Sequence, residues 1–118
     1  MANFPRTYLT IGVVALLLGA LFVTQRVRSE VVQVKYRGEV DLKSFSCADV
    51  TQSSFIKRVC YDRMNEYVLI SLNGTYYHYC EMPDAIVSSL MSAESMGRFY
   101  NASIKGHFDC RTRKVPAY

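Results

Sequence analysis

The 118 residues predict an α+β chain: an N-terminal membrane-inserting helix, then a three-stranded antiparallel meander with two short helices on one face. Three observations carry that expectation. An uncharged apolar run stands near the start, an Asn-Gly pair sits between two strand-like segments, and two stretches with helical spacing follow a proline.

The apolar run comes first. Residues 7–25 carry no charge, and residues 9–23 (LTIGVVALLLGALFV) are almost wholly apolar. A comfortable span needs ~20 residues; Thr7, Tyr8, Thr24 and Gln25 stretch this one to a short span. A helix inside a soluble core would show a polar stripe, which the run lacks. Arg6 supplies a positive region ahead of it, and residues 24–29 are polar, with Val27 and Ser29 as candidate small residues at a cleavage site. Residues 1–29 therefore read as a signal peptide or a signal anchor (transmembrane helix), and both readings stay open. Either way the membrane is a partner through residues 9–23. Arg6 on one flank and Arg26 and Arg28 on the other leave the positive-inside rule undecided.

The cysteines decide the side. Cys47, Cys60, Cys80 and Cys110 all follow the apolar run, and an even number in a small exported domain reads as two disulfides. The expected location is therefore membrane or periplasmic (extracytoplasmic). Four cysteines allow three pairings. No C-x-x-C spacing marks a metal site, and no cofactor or metal is expected.

Residues 30–44 (EVVQVKYRGEVDLKS) alternate in part and form a tether or a short extra strand. Residues 45–118 form the α+β domain, ending in a locally basic tail of Arg111, Arg113 and Lys114. Residues 53–61 (SSFIKRVCY) are a strand candidate, and Asp62 to Asn65 make a turn. Then YVLISL (67–72) and TYYHYC (75–80) flank Asn73-Gly74, a type I′ hairpin signal. That turn sets the register. Leu72 pairs with Thr75, Ile70 with Tyr77 and Val68 with Tyr79 on the apolar face. Leu69 then faces His78, Ser71 faces Tyr76 and Tyr67 faces Cys80 on the other face. Pro83 fits the first turn of a helix whose Ile86, Val87, Leu90 and Met91 share one side. Ser95 caps a second helix with Met96, Phe99, Tyr100 and Ile104 apolar, and Gly106 stops it.

Strand parity bears on the disulfides. If Val59 and Tyr61 face the core, Cys60 and Cys80 both point outward from the two outer strands of the meander. With a strand between them they stand ~9.6 Å apart, beyond disulfide reach. Each then reaches a flanking segment, Cys47 to Cys60 and Cys80 to Cys110.

The stretch from Ser53 to about Lys105 resembles the KTSC domain, a family named for the carboxyl-terminal region of some lysyl-tRNA synthetases. The residues that carry the likeness are SSFIKRVCYD (53–62), YHYCEMP (77–83) and SMGRFYNASIKG (95–106). The family's Y-x-Y and following proline fall on Tyr77, Tyr79 and Pro83. Its small-aromatic-Asn segment falls on Gly97, Phe99 and Asn101. The resemblance implies a domain of unknown function with a suggested RNA link. This chain departs from the family's soluble form in its apolar segment and its four cysteines.

Composition weighs the function classes. Residues 44–118 carry eight Lys or Arg and seven Asp or Glu, a net of +1. Nucleic-acid binding calls for a basic stripe. Tyr67, Tyr76 and His78 on the outer sheet face are the candidate binding surface, where bases could stack unless the Cys47 and Cys110 segments cover it. Only His78 and His107 could serve as bases, no catalytic signature surrounds them, and no catalytic residue is assigned. The expectation is a non-enzymatic module of the cell envelope, exported or anchored, that binds another protein or an envelope component. The alternative is an RNA-binding module facing the cytoplasm.

Overall fold

The computed structural model describes residues 29–118; the predicted membrane-inserting segment lies outside the described residues. Among the described residues no helix is long and apolar enough to cross a membrane. The predicted three-stranded meander is corrected to a curled, mixed sheet of six strands. The strands are β1 (Val31–Val34), β2 (Gly38–Asp41), β3 (Ser46–Asp49), β4 (Ile56–Asp62), β5 (Tyr67–Leu72) and β6 (Thr75–Tyr79). Their order across the sheet is β2-β1-β6-β5-β4-β3.

The expected meander is the middle of this sheet. The β5–β6 ladder carries the register that the Asn73-Gly74 turn predicts, from Leu72↔Thr75 out to Val68↔Tyr79. Both turn residues have positive φ, 52° and 89°, as a type I′ turn requires. The additions lie outside it. Residues 30–44, expected as a tether or one short strand, fold into the β1–β2 hairpin and a 3-10 turn at Leu42–Ser44. Pairing β1 to β6 is parallel, through Val34↔Tyr76 and the Lys35 amide donating to the Tyr76 carbonyl at 2.8 Å. On the opposite edge the short polar β3 lies antiparallel to β4.

Strand β5 is buried on both faces of the sheet. On one face Val68 and Ile70 join Val59, Ile56 and Tyr79 beneath the helices α1 (Asp84–Ser92) and α2 (Met96–Phe99). Pro83 sits at the N-cap of α1, and Val87 and Leu90 are the buried residues of that helix. Ser95 caps α2 by accepting from the Arg98 amide, and a π-helical turn (Tyr100–Ile104) continues it. Ile56 and Val59 share this face although they are an odd number of residues apart. The β4 bulge between Ile56 and Arg58 reverses the parity between them.

The other face is a second core. Tyr67 and Leu69 are fully buried there with Cys60 and Cys80, under Val32, Val34, Val40 and Leu42. Each such aliphatic side chain contributes about 1.5–3 kcal/mol on burial. Arg58 ties β4 to the chain ahead of β1: it donates to both carboxylate oxygens of Glu30, at 2.6 and 3.0 Å, and to the Tyr76 hydroxyl at 3.3 Å.

Candidate binding cleft

The predicted surface of Tyr67, Tyr76 and His78 is not an open platform. These residues do share a face, but the curl of the sheet closes it. Tyr67 has no exposed surface, and Tyr76 and His78 are half-buried. The Tyr67 hydroxyl and His78 Nδ1 are 2.8 Å apart. Phe45 and Tyr118 pack on the Tyr67 ring, with centroids at 6.0 and 5.7 Å. Arg37 lies over both tyrosine rings, 5.1 Å from Tyr67 and 5.2 Å from Tyr118. A base has no ring face left to stack on at Tyr67.

The cysteines form two disulfides, Cys47–Cys60 and Cys80–Cys110, with Cα separations of 4.0 and 5.0 Å. Cys47 stands directly opposite Cys60 in the β3–β4 ladder. Cys80, just past β6, holds the loop after the π-helical turn, and the Cys80 amide donates to the Phe108 carbonyl at 3.0 Å.

That loop and β6 enclose a cleft of about 610 Å³, within the range of small-molecule sites. Its floor is Tyr79, Tyr100 and Ile104, all buried; Tyr77 and Phe108 form walls. Tyr36 stands on the rim, 84% exposed, with a left-handed φ of 69°. A bulky side chain pays for that conformation with backbone strain, and burial returns nothing here. Lys35 Nζ lies over the rings of Tyr36 and Tyr77, 5.5 and 5.8 Å from their centroids.

The polar groups of the cleft are partly spoken for. Asp109 is held by Arg111 at 2.6 Å, which together with the Arg111 amide keeps its carboxyl at about 2. His78 is pushed below the usual histidine range, first by burial and then by the Arg37 charge. Tyr79 and Tyr100 bond to each other through their hydroxyls at 2.7 Å, and burial, followed by that contact, pushes the Tyr79 phenol far up. The Tyr79 phenol therefore keeps its proton. Among the described residues no cluster of three His, Cys, Asp or Glu side chains could hold a metal ion.

The family-motif residues divide between packing and this cleft. Tyr77 and Tyr79 line it, and Pro83 starts α1. Gly97 lies against Phe55, where a Cβ would stand 2.8 Å from the ring. Phe99 packs on the helix-side core, and Asn101 is exposed beside Gln52, Ser53 and Arg98. Sequence reasoning passed over Tyr36 and Phe108 as cleft residues and took Tyr100 for plain helix packing. An aromatic residue placed in a tight turn just ahead of Gly38 was the available signal for Tyr36.

The KTSC domain family matches residues 52–108. No curated protein matches the chain. Among solved structures, the crystal structure of a KTSC domain protein from Yersinia pestis is 33% identical, covering 55% of this chain and 92% of that one, with a TM-score of 0.52. The matched segment holds the β4–β5–β6 meander, both helices and most of the cleft, and on that shared core the chain belongs to the KTSC domain family.

Proposed function

We propose that this chain is an exported or membrane-anchored KTSC domain of the cell envelope that binds a component there through the Tyr77–Phe108 cleft and performs no chemistry on it. The observation that carries this reading is the Cys80–Cys110 disulfide, which fixes the wall of the cleft to the end of β6. A site whose wall depends on an oxidised cysteine pair suits an oxidising compartment. The uncharged run at residues 9–23 supplies a route to that compartment. The non-catalytic part rests on the state of the polar groups. Cys110 is in a disulfide, Asp109 is neutralised by Arg111, and one nitrogen of His78 is engaged by Tyr67, so these groups assemble no nucleophile–base pair among the described residues.

Thiol trapping in intact cells tests the location. Cells are alkylated at once, and the protein is digested without reduction and mapped by mass spectrometry. Linked Cys47–Cys60 and Cys80–Cys110 peptides are the expected result; four alkylated cysteines would place the domain in a reducing compartment and end this reading.

A further inference from the structure

The two buried phenols at the floor of the cleft have one hydrogen more than they use. Each hydroxyl carries one donor hydrogen. Tyr79 and Tyr100 satisfy one of the two hydrogens in their mutual 2.7 Å bond, and neither oxygen has another partner among the described residues. Both side chains are more than nine-tenths buried, and both line the cleft. A buried donor without an acceptor costs about 1–3 kcal/mol. The one carboxylate lining the cleft, Asp109, is engaged by Arg111, and no protein acceptor among the described residues is bonded to the second hydrogen.

From this we infer that the cleft takes a small ring-bearing molecule whose single oxygen acceptor, a carbonyl or ether, seats on the Tyr79–Tyr100 hydroxyl pair. Three features fit one ligand. The volume of about 610 Å³ suits a small ring system. Tyr77 and Phe108 offer ring faces and edges for it to pack on. Tyr36, held outward at the rim with its backbone left-handed, is placed to close over a seated ring. The inference rests on the cleft being the binding site, and is independent of which compartment the domain occupies.

The test compares two probes of the same shape that differ in the acceptor, acetophenone and ethylbenzene. Each is titrated into the isotope-labelled domain, and amide shifts are followed by NMR. Acetophenone should perturb the amides of Tyr77 to Tyr79 and Gly106 to Arg111, and bind about fivefold tighter than ethylbenzene, the worth of one net hydrogen bond. In the Tyr79→Phe/Tyr100→Phe double variant that preference should vanish, the two probes binding with equal affinity to the same variant. Equal affinity for both probes in the native protein would overturn the acceptor inference while leaving the cleft as a binding site. If neither probe moves the cleft amides, the cleft reading falls as well. The native comparison needs no variant, so a double variant that fails to fold leaves the test intact.

Discussion

The Tyr118 hydroxyl donates to the Asp62 carboxylate, joining the far end of the described chain to the end of β4. Asp62 is 3% exposed and also accepts from Asn65 Nδ2 at 2.7 Å. Burial alone would raise this carboxyl; the bonds from Tyr118 and Asn65 outweigh it and leave it below its usual value. Tyr118→Phe removes one donor from a buried charge, so the expected loss is about 1–3 kcal/mol. Urea unfolding of the two proteins checks it, and an unchanged midpoint would mean that water replaces the hydroxyl.

His78 predicts a pH dependence of known sign. Its folded pKa lies below the unfolded value of about 6.5, because burial, and then Arg37, disfavour the charged ring. The unfolded chain therefore takes up a proton first as pH falls. The contribution is complete above about 6.5 and is lost as pH drops through the folded value. Urea midpoints measured across pH 5–8 should fall on the acid side, and His78→Gln should flatten that part of the curve.

Gly97 is a packing position. A Cβ there meets Phe55 Cε1 at 2.8 Å, and the Phe55 ring is itself set edge-on against Tyr100 with centroids 5.9 Å apart. Gly97→Ala should cost about 1–3 kcal/mol through overpacking. Shortening the neighbour as well, in Gly97→Ala/Phe55→Leu, should recover part of that loss. Thermal denaturation of the four proteins of the cycle measures the coupling.

The two disulfides should differ in what they protect. Loop-closure entropy assigns about 3 kcal/mol to Cys47–Cys60, whose cysteines are 13 residues apart, and about 4 kcal/mol to Cys80–Cys110, 30 apart. Replacing Cys80 and Cys110 by alanine should also speed amide exchange in the loop from Gly106 to Arg111. Replacing Cys47 and Cys60 should leave that loop's exchange unchanged relative to the rest of the domain. Hydrogen exchange resolves the two patterns.

The middle of the fold was legible because its signals are local. Asn73-Gly74 determines the β5–β6 register on its own, Pro83 and Ser95 mark the two helix starts, and apolar spacing orients α1. Strand parity also led to Cys47–Cys60 and Cys80–Cys110, the pairs present in the structure. The outer strands escaped because β1, β2 and β3 have four residues each, too few for a convincing period. The Val34↔Tyr76 pairing joins segments far apart in sequence, which no local pattern announces. For the same reason the second sheet face stayed undecided between an open surface and one covered by the Cys47 and Cys110 segments: what covers it, including Phe45, Arg37 and Tyr118, arrives from both ends of the domain. The cleft was not legible, since strand parity assigned Tyr77 and Tyr79 to core packing and helical spacing did the same for Tyr100.

The parallel pairing of β1 with β6 places a delay in the assembly of the domain. During synthesis the β1–β2 hairpin emerges ahead of the other described strands, yet the strand it docks on is completed last among the six. Until Tyr76 is out, β1 has no strand to pair with on its inner edge, and that open edge is a template for stray pairing. Cys47 meets Cys60 well before that moment, so an early thiol-oxidation product would carry the first linkage alone, with the hairpin still unattached.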